Sequence, residues 1–208
     1  LMNGIDSEFL MELDSTNKNF NNSFTVLYSG NMGIAQGLEV VIETAEMLAN
    51  YPINFQFIGD GVNKQSLIDL TKSKGIKNVS FQNPLPRNQL IQEMKKANVC
   101  LVPLKNKKLF KSAIPSKIFE IMACSKPIIL GVKGEAAEII KQNNCGTVVL
   151  PENPDHIKKA ILSYFNNVDL AKEHGQNGVN FVTGNMQKES LLSEFLIQIK
   201  NQKKALSI

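Results

Sequence analysis

The residue types and spacing best suited to bind a charged ligand occur in the stretch 114–129, which begins Ile-Pro-Ser-Lys-Ile-Phe-Glu. Pro115 fits the first turn of a helix, because its missing N–H leaves no hydrogen bond unsatisfied there. Ser116 and Lys117 would then lie beside the free backbone N–H groups that make a helix start an anion site. Glu120 follows one turn later. This spacing predicts a site for a ligand with both a phosphate and a vicinal diol, as in a nucleotide sugar.

The same stretch must form a helix that packs on a core. Ile118, Ile121 and Met122 share one face at positions i, i+3 and i+4, and Glu120 falls off that face. A tight turn and the apolar strand 128–131 follow. An ordinary helix–strand connection of an α/β domain shows the same pattern, so the residues alone leave that alternative open.

A glycine-rich turn is a second candidate for phosphate binding. It follows an apolar, β-rich run and contains Gly30, Asn31, Gly33 and Gln36 ahead of a helix. Strand, glycine-rich turn and helix bring the backbone close to a pyrophosphate, because glycine has no Cβ. The spacing Gly30-x-x-Gly33-x-x-x-Gly37 differs from the dinucleotide-binding fingerprint. Many α/β domains use such a turn for packing alone, so the turn by itself is weak evidence of a site.

Two further loops are predicted at the same edge of the sheet. Gly59, Asp60 and Gly61 end the second alternating run, and such strand ends line the ligand crevice of open α/β sheets. A connecting turn without ligand contacts is an equally good interpretation of these three residues. Leu85 lies between two prolines, in a stiff and non-helical loop.

Strands alternate with helices along the chain, which predicts a parallel sheet with right-handed crossovers. We predict an α/β, Rossmann-like three-layer domain with about six parallel strands and helices on both faces. The predicted strands span 24–29, 53–58, 79–82, 99–104, 128–131 and 147–150. Helices are predicted near 38–48, 63–74, 90–97, 118–123, 134–140, 155–165, 170–181 and 188–203.

Composition disfavours several classes of protein. The chain has 208 residues, is 43% hydrophobic and 20% charged, and carries a net charge of +4. These values fit one sizeable globular domain, and the charge is too small to predict a nucleic-acid partner. No run approaches the ~18 apolar residues of a membrane span. We expect no metal, since no carboxylate cluster suits Mg²⁺ or Mn²⁺, and no cofactor, since a nucleotide sugar would be a substrate.

The cysteines and histidines offer little for catalysis. Cys100, Cys124 and Cys145 show no metal-ligand spacing and are predicted to be buried, reduced thiols of a cytoplasmic protein. His156 and His174 are predicted to lie at the surface.

The run Pro-Ser-Lys-Ile-Phe-Glu-Ile-Met-Ala-Cys-Ser-Lys-Pro-Ile-Ile at 115–129 resembles the donor-binding motif of retaining glycosyltransferases of the GT-B architecture. The resemblance covers nearly the whole chain, and it is closest to the group 1 enzymes that build bacterial O-antigen and capsule. Residues 3–9, Asn-Gly-Ile-Asp-Ser-Glu-Phe, resemble the link between the two domains of that family. The resemblance implies an interdomain linker at 1–23, a nucleotide-sugar-binding domain at 24–185 and a C-terminal helix at 186–208. The N-terminal domain would then be missing from this chain.

The resemblance also implies roles for single residues. Ser116 and Lys117 would bind the donor diphosphate, together with the backbone amides of 30–33. Glu120 would accept hydrogen bonds from the ribose, and Leu85 would support the base. The turn Gly59-Asp60-Gly61 matches a Gly-Asp-Gly that is frequent in the family.

The sequence departs from the family pattern at two places. Asn31 or Met32 and Gln36 stand where the family often carries an Arg and a Lys, so contacts to the diphosphate would be neutral hydrogen bonds there. Ser112 stands eight residues before Glu120, where the family has a glutamate that contacts the donor sugar. The sugar is therefore not identified by the sequence.

Residues 105–111 form a basic loop that ends in Lys111, next to the motif. Its lysines would help to neutralise the donor phosphates or would meet an anionic lipid surface. A solvated loop is the favoured alternative, because short charge runs are usually surface.

As a whole, the resemblance implies transfer of a hexose from a nucleotide sugar, with UDP favoured as nucleotide, to a polysaccharide or lipid-linked acceptor with retention. It implies a cytoplasmic location that includes peripheral association with the inner face of the cytoplasmic membrane. This chain alone is expected to bind nucleotide weakly and to transfer no sugar. The alternative is a non-catalytic nucleotide-binding or scaffold module. Nucleotide-sugar epimerisation is disfavoured, since His156 and His174 are badly placed for it.

Overall fold

The computed structural model describes residues 23–112 and 114–185, with the backbone alone at Lys111 and Asn185. The predicted linker up to residue 22 and the predicted C-terminal helix at 186–208 lie outside the described residues.

Six parallel strands form one sheet in the order β3-β2-β1-β4-β5-β6. The strands are β1 (Phe24–Ser29), β2 (Ile53–Ile58), β3 (Val79–Gln82), β4 (Val99–Pro103), β5 (Ile128–Gly131) and β6 (Gly146–Val148). The strand order reverses between β1 and β4. In open α/β sheets, such a reversal leaves a crevice at the carboxyl ends of the two strands, where ligands bind.

Helices cover both faces of the sheet. They are α1 (Glu39–Met47), α2 (Lys64–Ser73), α3 (Arg87–Lys96), α4 (Lys117–Ala123), α5 (Glu135–Gln142), α6 (Pro154–Asn166) and α7 (Val168–Asn185). Helices α3, α4, α5 and α7 pack on one face and α1, α2 and α6 on the other. Successive strand residues alternate between the two apolar layers, as Val26 and Leu27 do, because side chains alternate along a strand.

The predicted fold class is confirmed: this is a Rossmann-like α/β domain with six parallel strands between two helical layers. Four of the predicted strands have the observed bounds, and β4 ends one residue early, at Pro103. The last strand is present, but its predicted bounds of 147–150 are wrong, since β6 spans Gly146–Val148. Val149 still donates its N–H to the Leu130 carbonyl at 2.9 Å, but Leu150 leaves the sheet and is 47% exposed.

All three cysteines are buried and free, as predicted. Burial raises the pKa of the Cys100 and Cys124 thiols to about 12, so both remain protonated and unreactive at neutral pH.

The surface position predicted for His174 is wrong. Its side chain is 7% exposed, and its Nδ1 lies 2.8 Å from the hydroxyl of Tyr164. That hydroxyl lies 2.9 Å from Thr147 Oγ1, so a polar chain connects β6, α6 and α7 inside the protein. The sequence hides this contact because Tyr164 and His174 lie on different helices. Burial lowers the pKa of His174, and Glu173 opposes this in part.

We expect stability to fall as the pH decreases below 6.5, the ordinary pKa of histidine. The folded-state pKa of His174 lies below the unfolded-state value, so the unfolded chain takes up the proton first. The contribution of His174 is therefore complete above pH 6.5 and is lost as the pH falls. Thermal melts at pH 7.5 and 5.5 should show this loss in the wild type and in His156→Gln. His174→Gln should reduce it, and an unchanged pH dependence in that variant would contradict the assignment.

Candidate functional site

The turns after β1 and β2 lie against each other at the carboxyl edge of the sheet. Strands β1 and β2 pair over their full length, so Ser29 lies opposite Ile58 and the two turns begin at the same level. The Gly30 N–H donates to the Ile58 carbonyl at 2.8 Å. Gly59 has a φ of +148°, and a Cβ added there would lie 2.0 Å from the Gly30 carbonyl oxygen. Only glycine fits this approach, which holds the two turns together.

This arrangement corrects the expected use of the glycine-rich turn. The backbone amides of 30–33 were predicted to bind a diphosphate, but Gly30 and Met32 donate theirs to the carbonyls of Ile58 and Asp60. Within the described part of the chain, only the amides of Asn31 and Gly33 in this turn have no partner. Two of the four backbone N–H groups of residues 30–33 therefore donate to the end of β2 and the turn that follows it.

Lys117 reaches into the same place from the first residue of α4. Its Nζ donates to the Ser29 carbonyl at 2.7 Å and lies 4.6 Å from the centroid of the Tyr28 ring. A Cβ added to Gly30 would lie 2.8 Å from Nζ, so the missing side chain of Gly30 leaves the space for the ammonium. Ile118 and Ile121 are fully buried and fix α4 on the sheet. The structure thus joins the two sequence stretches predicted to bind phosphate.

Burial lowers the pKa of Lys117 to about 8, and the carboxylate of Glu120, one turn along α4, partly opposes this. The side chain is still mostly protonated at pH 7. Burial keeps the Tyr28 hydroxyl neutral by raising its pKa, and the hydroxyl donates to the Asn31 carbonyl at 2.5 Å. The ammonium is therefore held by a neutral carbonyl and an aromatic face, an arrangement that leaves it able to attract an anion.

The N–H groups predicted to bind phosphate at the start of α4 are those of Ser116 and Lys117, and neither donates to a carbonyl of the described residues. The N–H groups of Ile118 and Phe119 donate to the carbonyls of Pro115 and Ser116, at 3.0 and 3.2 Å. Ser116 is exposed and forms no capping hydrogen bond with its side chain, and α4 has only seven residues. The ammonium of Lys117 therefore lies at a helix start whose first two N–H groups have no acceptor among the described residues.

The amides of Asn31 and Gln36 converge on Gly33. A Cβ added to Gly33 would lie 3.0 Å from Asn31 Nδ2 and 2.9 Å from Gln36 Oε1. Asn31 is exposed, and Gln36 Oε1 is buried without a hydrogen-bond partner among the described residues. Both side chains are uncharged, so any contact that they make with an anion is a neutral hydrogen bond.

Lys64 is a structural residue of the site that sequence reasoning missed. Its Nζ donates to the Gly59 carbonyl at 2.9 Å, the Gln82 carbonyl at 3.2 Å and Asn83 Oδ1 at 2.8 Å. It thereby ties the carboxyl ends of β2 and β3 to α2. The available signal was a lysine at the start of a predicted helix, three residues after the Gly-Asp-Gly turn.

The remaining predicted residues lie at or near this edge. Asp60 is exposed, and its Oδ1 accepts the Gly61 N–H at 2.9 Å. Leu85 is partly buried against the apolar layer that contains Ile58 and Ile118. The side chain of Lys111 lies outside the described residues.

The family model for glycosyl transferases group 1 matches residues 12–181. The chain belongs to the group 1 glycosyl transferases. It is 26% identical over 184 residues to the putative colanic acid biosynthesis glycosyl transferase WcaI of Escherichia coli, an alignment that covers 86% of this chain and 44% of that protein. The chain spans about half the length of these curated relatives, of which the second is an uncharacterized glycosyltransferase of Methanocaldococcus jannaschii.

Solved structures of low sequence identity share the fold of this group 1 domain. Anabaena HepE in complex with UDP is 14% identical, with a TM-score of 0.79, and the match covers 96% of this chain and 56% of that one. The C-terminal domain of the group 1 glycosyl transferase LpcC from Francisella tularensis is 18% identical, with a TM-score of 0.69. That match covers 89% of this chain and 100% of that one. The family and fold resemblance read from residues 115–129 is therefore confirmed.

Residues 23–112 and 114–185 contain no group of three or more His, Cys, Asp or Glu side chains able to hold a metal ion. They also contain no helix long and apolar enough to cross a membrane.

Proposed function

We propose that this chain is the donor-binding half of a glycosyltransferase that moves a hexose from a UDP-sugar to a polysaccharide or lipid-linked acceptor, with retention of anomeric configuration. The observation that carries the proposal is the position of Lys117. Its ammonium lies beside Gly30 at the strand-order reversal, with the carboxylate of Glu120 one turn further along the same helix.

Each group has a role in this proposal. Lys117 binds the diphosphate and stabilises the negative charge that grows on it as the sugar leaves, which is the action of a preorganised cation. The free amides of Asn31 and Gly33 and the side-chain amides of Asn31 and Gln36 add neutral hydrogen bonds. Glu120 accepts hydrogen bonds from the ribose hydroxyls. Leu85 and the turn Gly59-Asp60-Gly61 border the nucleotide.

The relatives support two parts of the proposal, the use of a uridine nucleotide and a role in polysaccharide synthesis. HepE was crystallised with UDP, and WcaI is named for colanic acid biosynthesis. We assign catalysis and acceptor binding chiefly to a further domain, because the chain spans about half of its curated relatives. The chain alone would bind nucleotide weakly without transferring sugar. The intact protein would act in the cytoplasm, with lysines of the loop 105–111 touching the inner face of the membrane.

Calorimetric titration of the chain with UDP, GDP and ADP tests this proposal. We expect UDP to bind most tightly and Glu120→Ala to weaken it by about tenfold, since hydrogen bonds to a charged group contribute about 1.5–3 kcal/mol. Glu43→Ala, an exposed glutamate on α1, is the matched control. Absence of nucleotide binding would refute the proposal. UDP binding that ignores Glu120→Ala would favour a non-catalytic nucleotide-binding module.

A further inference from the structure

Tyr28 is a buried polar residue to which the proposed function gives no role. It lies one residue before the end of β1, is 1% exposed and packs against Phe57 of the paired strand, with the ring centroids 5.9 Å apart. Apolar surroundings of this kind also suit phenylalanine, so the hydroxyl must be explained by what it contacts. Burial raises the pKa of this hydroxyl and keeps it neutral, so it acts as a hydrogen-bond donor.

The hydroxyl of Tyr28 fixes one peptide group of the glycine-rich turn. It donates to the Asn31 carbonyl at 2.5 Å, and the N–H of the same peptide group, which belongs to Met32, donates to the Asp60 carbonyl at 2.7 Å. Both ends of this peptide group are therefore held. The N–H groups on either side of it, those of Asn31 and Gly33, are the two in the turn without an acceptor among the described residues. Tyr28 thus helps to set the direction of both.

The ring of Tyr28 contacts the cation of the same site. The Lys117 ammonium lies 4.6 Å from the ring centroid, which is within the range of a cation–π interaction. Among the described residues the Ser29 carbonyl is its hydrogen-bond acceptor, so two of its three N–H bonds remain for a ligand. The carboxylate that acts on this ammonium is that of Glu120. A lysine has a flexible stem, and the ring and the carbonyl hold its charged end in place before a ligand arrives.

We propose that Tyr28 is a positioning residue for the donor diphosphate: its ring orients the Lys117 ammonium, and its hydroxyl orients the free amides of Asn31 and Gly33. One buried side chain then sets both the cationic and the neutral donors of the anion site. The inference rests on the proposed function, because it requires a diphosphate to bind at Lys117. The effect of the ring on the ammonium is nevertheless measurable without a ligand.

Two replacements at position 28 separate the ring from the hydroxyl. Tyr28→Phe removes the hydroxyl alone. Pentafluorophenylalanine at the same position keeps the ring but reverses its charge distribution, so that its face repels a cation. NMR of isotope-labelled lysine side chains, with Lys117→Met to assign the signal, gives the Lys117 pKa without a ligand, and calorimetry gives the UDP affinity.

The two replacements should have different effects. Tyr28→Phe should leave the Lys117 pKa at about 8 and weaken UDP binding by about fivefold, as expected for one lost hydrogen bond. Pentafluorophenylalanine at position 28 should lower the Lys117 pKa by about one further pH unit and weaken UDP binding about fivefold more at pH 8, where fewer molecules would carry the ammonium. The control is pentafluorophenylalanine at Phe55, an equally buried ring on β2, which should change neither quantity.

The outcomes separate this inference from the proposed function. An unchanged Lys117 pKa with pentafluorophenylalanine at position 28, or an equal fall with it at position 55, overturns the role of the ring. Wild-type UDP affinity in Tyr28→Phe overturns the role of the hydroxyl. A wild-type chain that binds no UDP refutes the proposed function and the positioning role together, whereas UDP binding that ignores both replacements refutes the positioning role alone.

Discussion

Lys117→Met should weaken UDP binding by roughly 30- to 150-fold, which corresponds to about 2–3 kcal/mol for lost charge-assisted hydrogen bonds. Methionine keeps the apolar stem that packs beside Tyr28 and removes only the ammonium. The free energy of unfolding should stay the same or rise, because a buried charge that lowers its own pKa is costly to the folded state. Calorimetry gives the affinity and chemical denaturation gives the stability.

The pH dependence of binding identifies the same group. The diphosphate binds the protonated form of Lys117. The affinity for UDP should therefore be highest below pH 8 and should fall as the pH rises through the Lys117 pKa of about 8. The fall approaches tenfold per pH unit, and titrations between pH 7 and 9.5 avoid the phosphate's own titration near pH 6. Lys117→Met should remove this dependence, and the exposed Lys77→Met should retain it. If Lys117→Met binds UDP like the wild type, the donor site has been placed wrongly.

Gly59→Ala should destabilise the fold by about 3 kcal/mol or more, the upper range for overpacking combined with backbone strain. The new Cβ would lie 2.0 Å from the Gly30 carbonyl oxygen, so one of the two turns must move. The variant should also lose UDP affinity, because a displaced Gly30 disturbs the space occupied by the Lys117 ammonium. Denaturant unfolding and calorimetry measure the two effects.

Gly75→Ala is the matched control for this prediction. Gly75 has a φ of +64°, and nothing lies within 4 Å of an added Cβ. It should cost only about 1 kcal/mol, the usual penalty of a left-handed conformation, and should leave UDP affinity unchanged. Equal destabilisation by the two substitutions would show that contact between the turns is unimportant.

The fold was predictable because local patterns agree with it. Apolar β-rich runs mark the strands, and glycine turns at 30 and 59 follow two of them with the observed bounds. The end of strand β6 was predicted two residues too late because Val149 and Leu150 extend the apolar run, although the strand ends at Val148 and Leu150 lies outside the sheet. Apolar character alone does not tell where hydrogen-bond pairing ends.

The contacts among the candidate-site residues were only partly predictable from the sequence. Lys117 and Gly30 were predicted as site residues separately. The proximity of the Lys117 ammonium to Gly30 depends on how α4 packs on the sheet. The use of the Gly30 and Met32 amides by the β2 turn depends on the register of β1 with β2. The contacts of Lys64 and His174 likewise join distant segments, which periodicity and spacing do not reveal.

The hydrogen bonds that tie the glycine-rich turn to its neighbour have a thermodynamic consequence. Under the proposed function, a nucleotide that enters the crevice would meet a backbone whose Gly30 and Met32 amides already donate to the Ile58 and Asp60 carbonyls. Binding would then cost little conformational entropy in this turn, because its backbone is already ordered before the nucleotide arrives. Because two of its amides are fixed in this way, we expect the backbone of residues 30–33 to keep its conformation when a nucleotide binds.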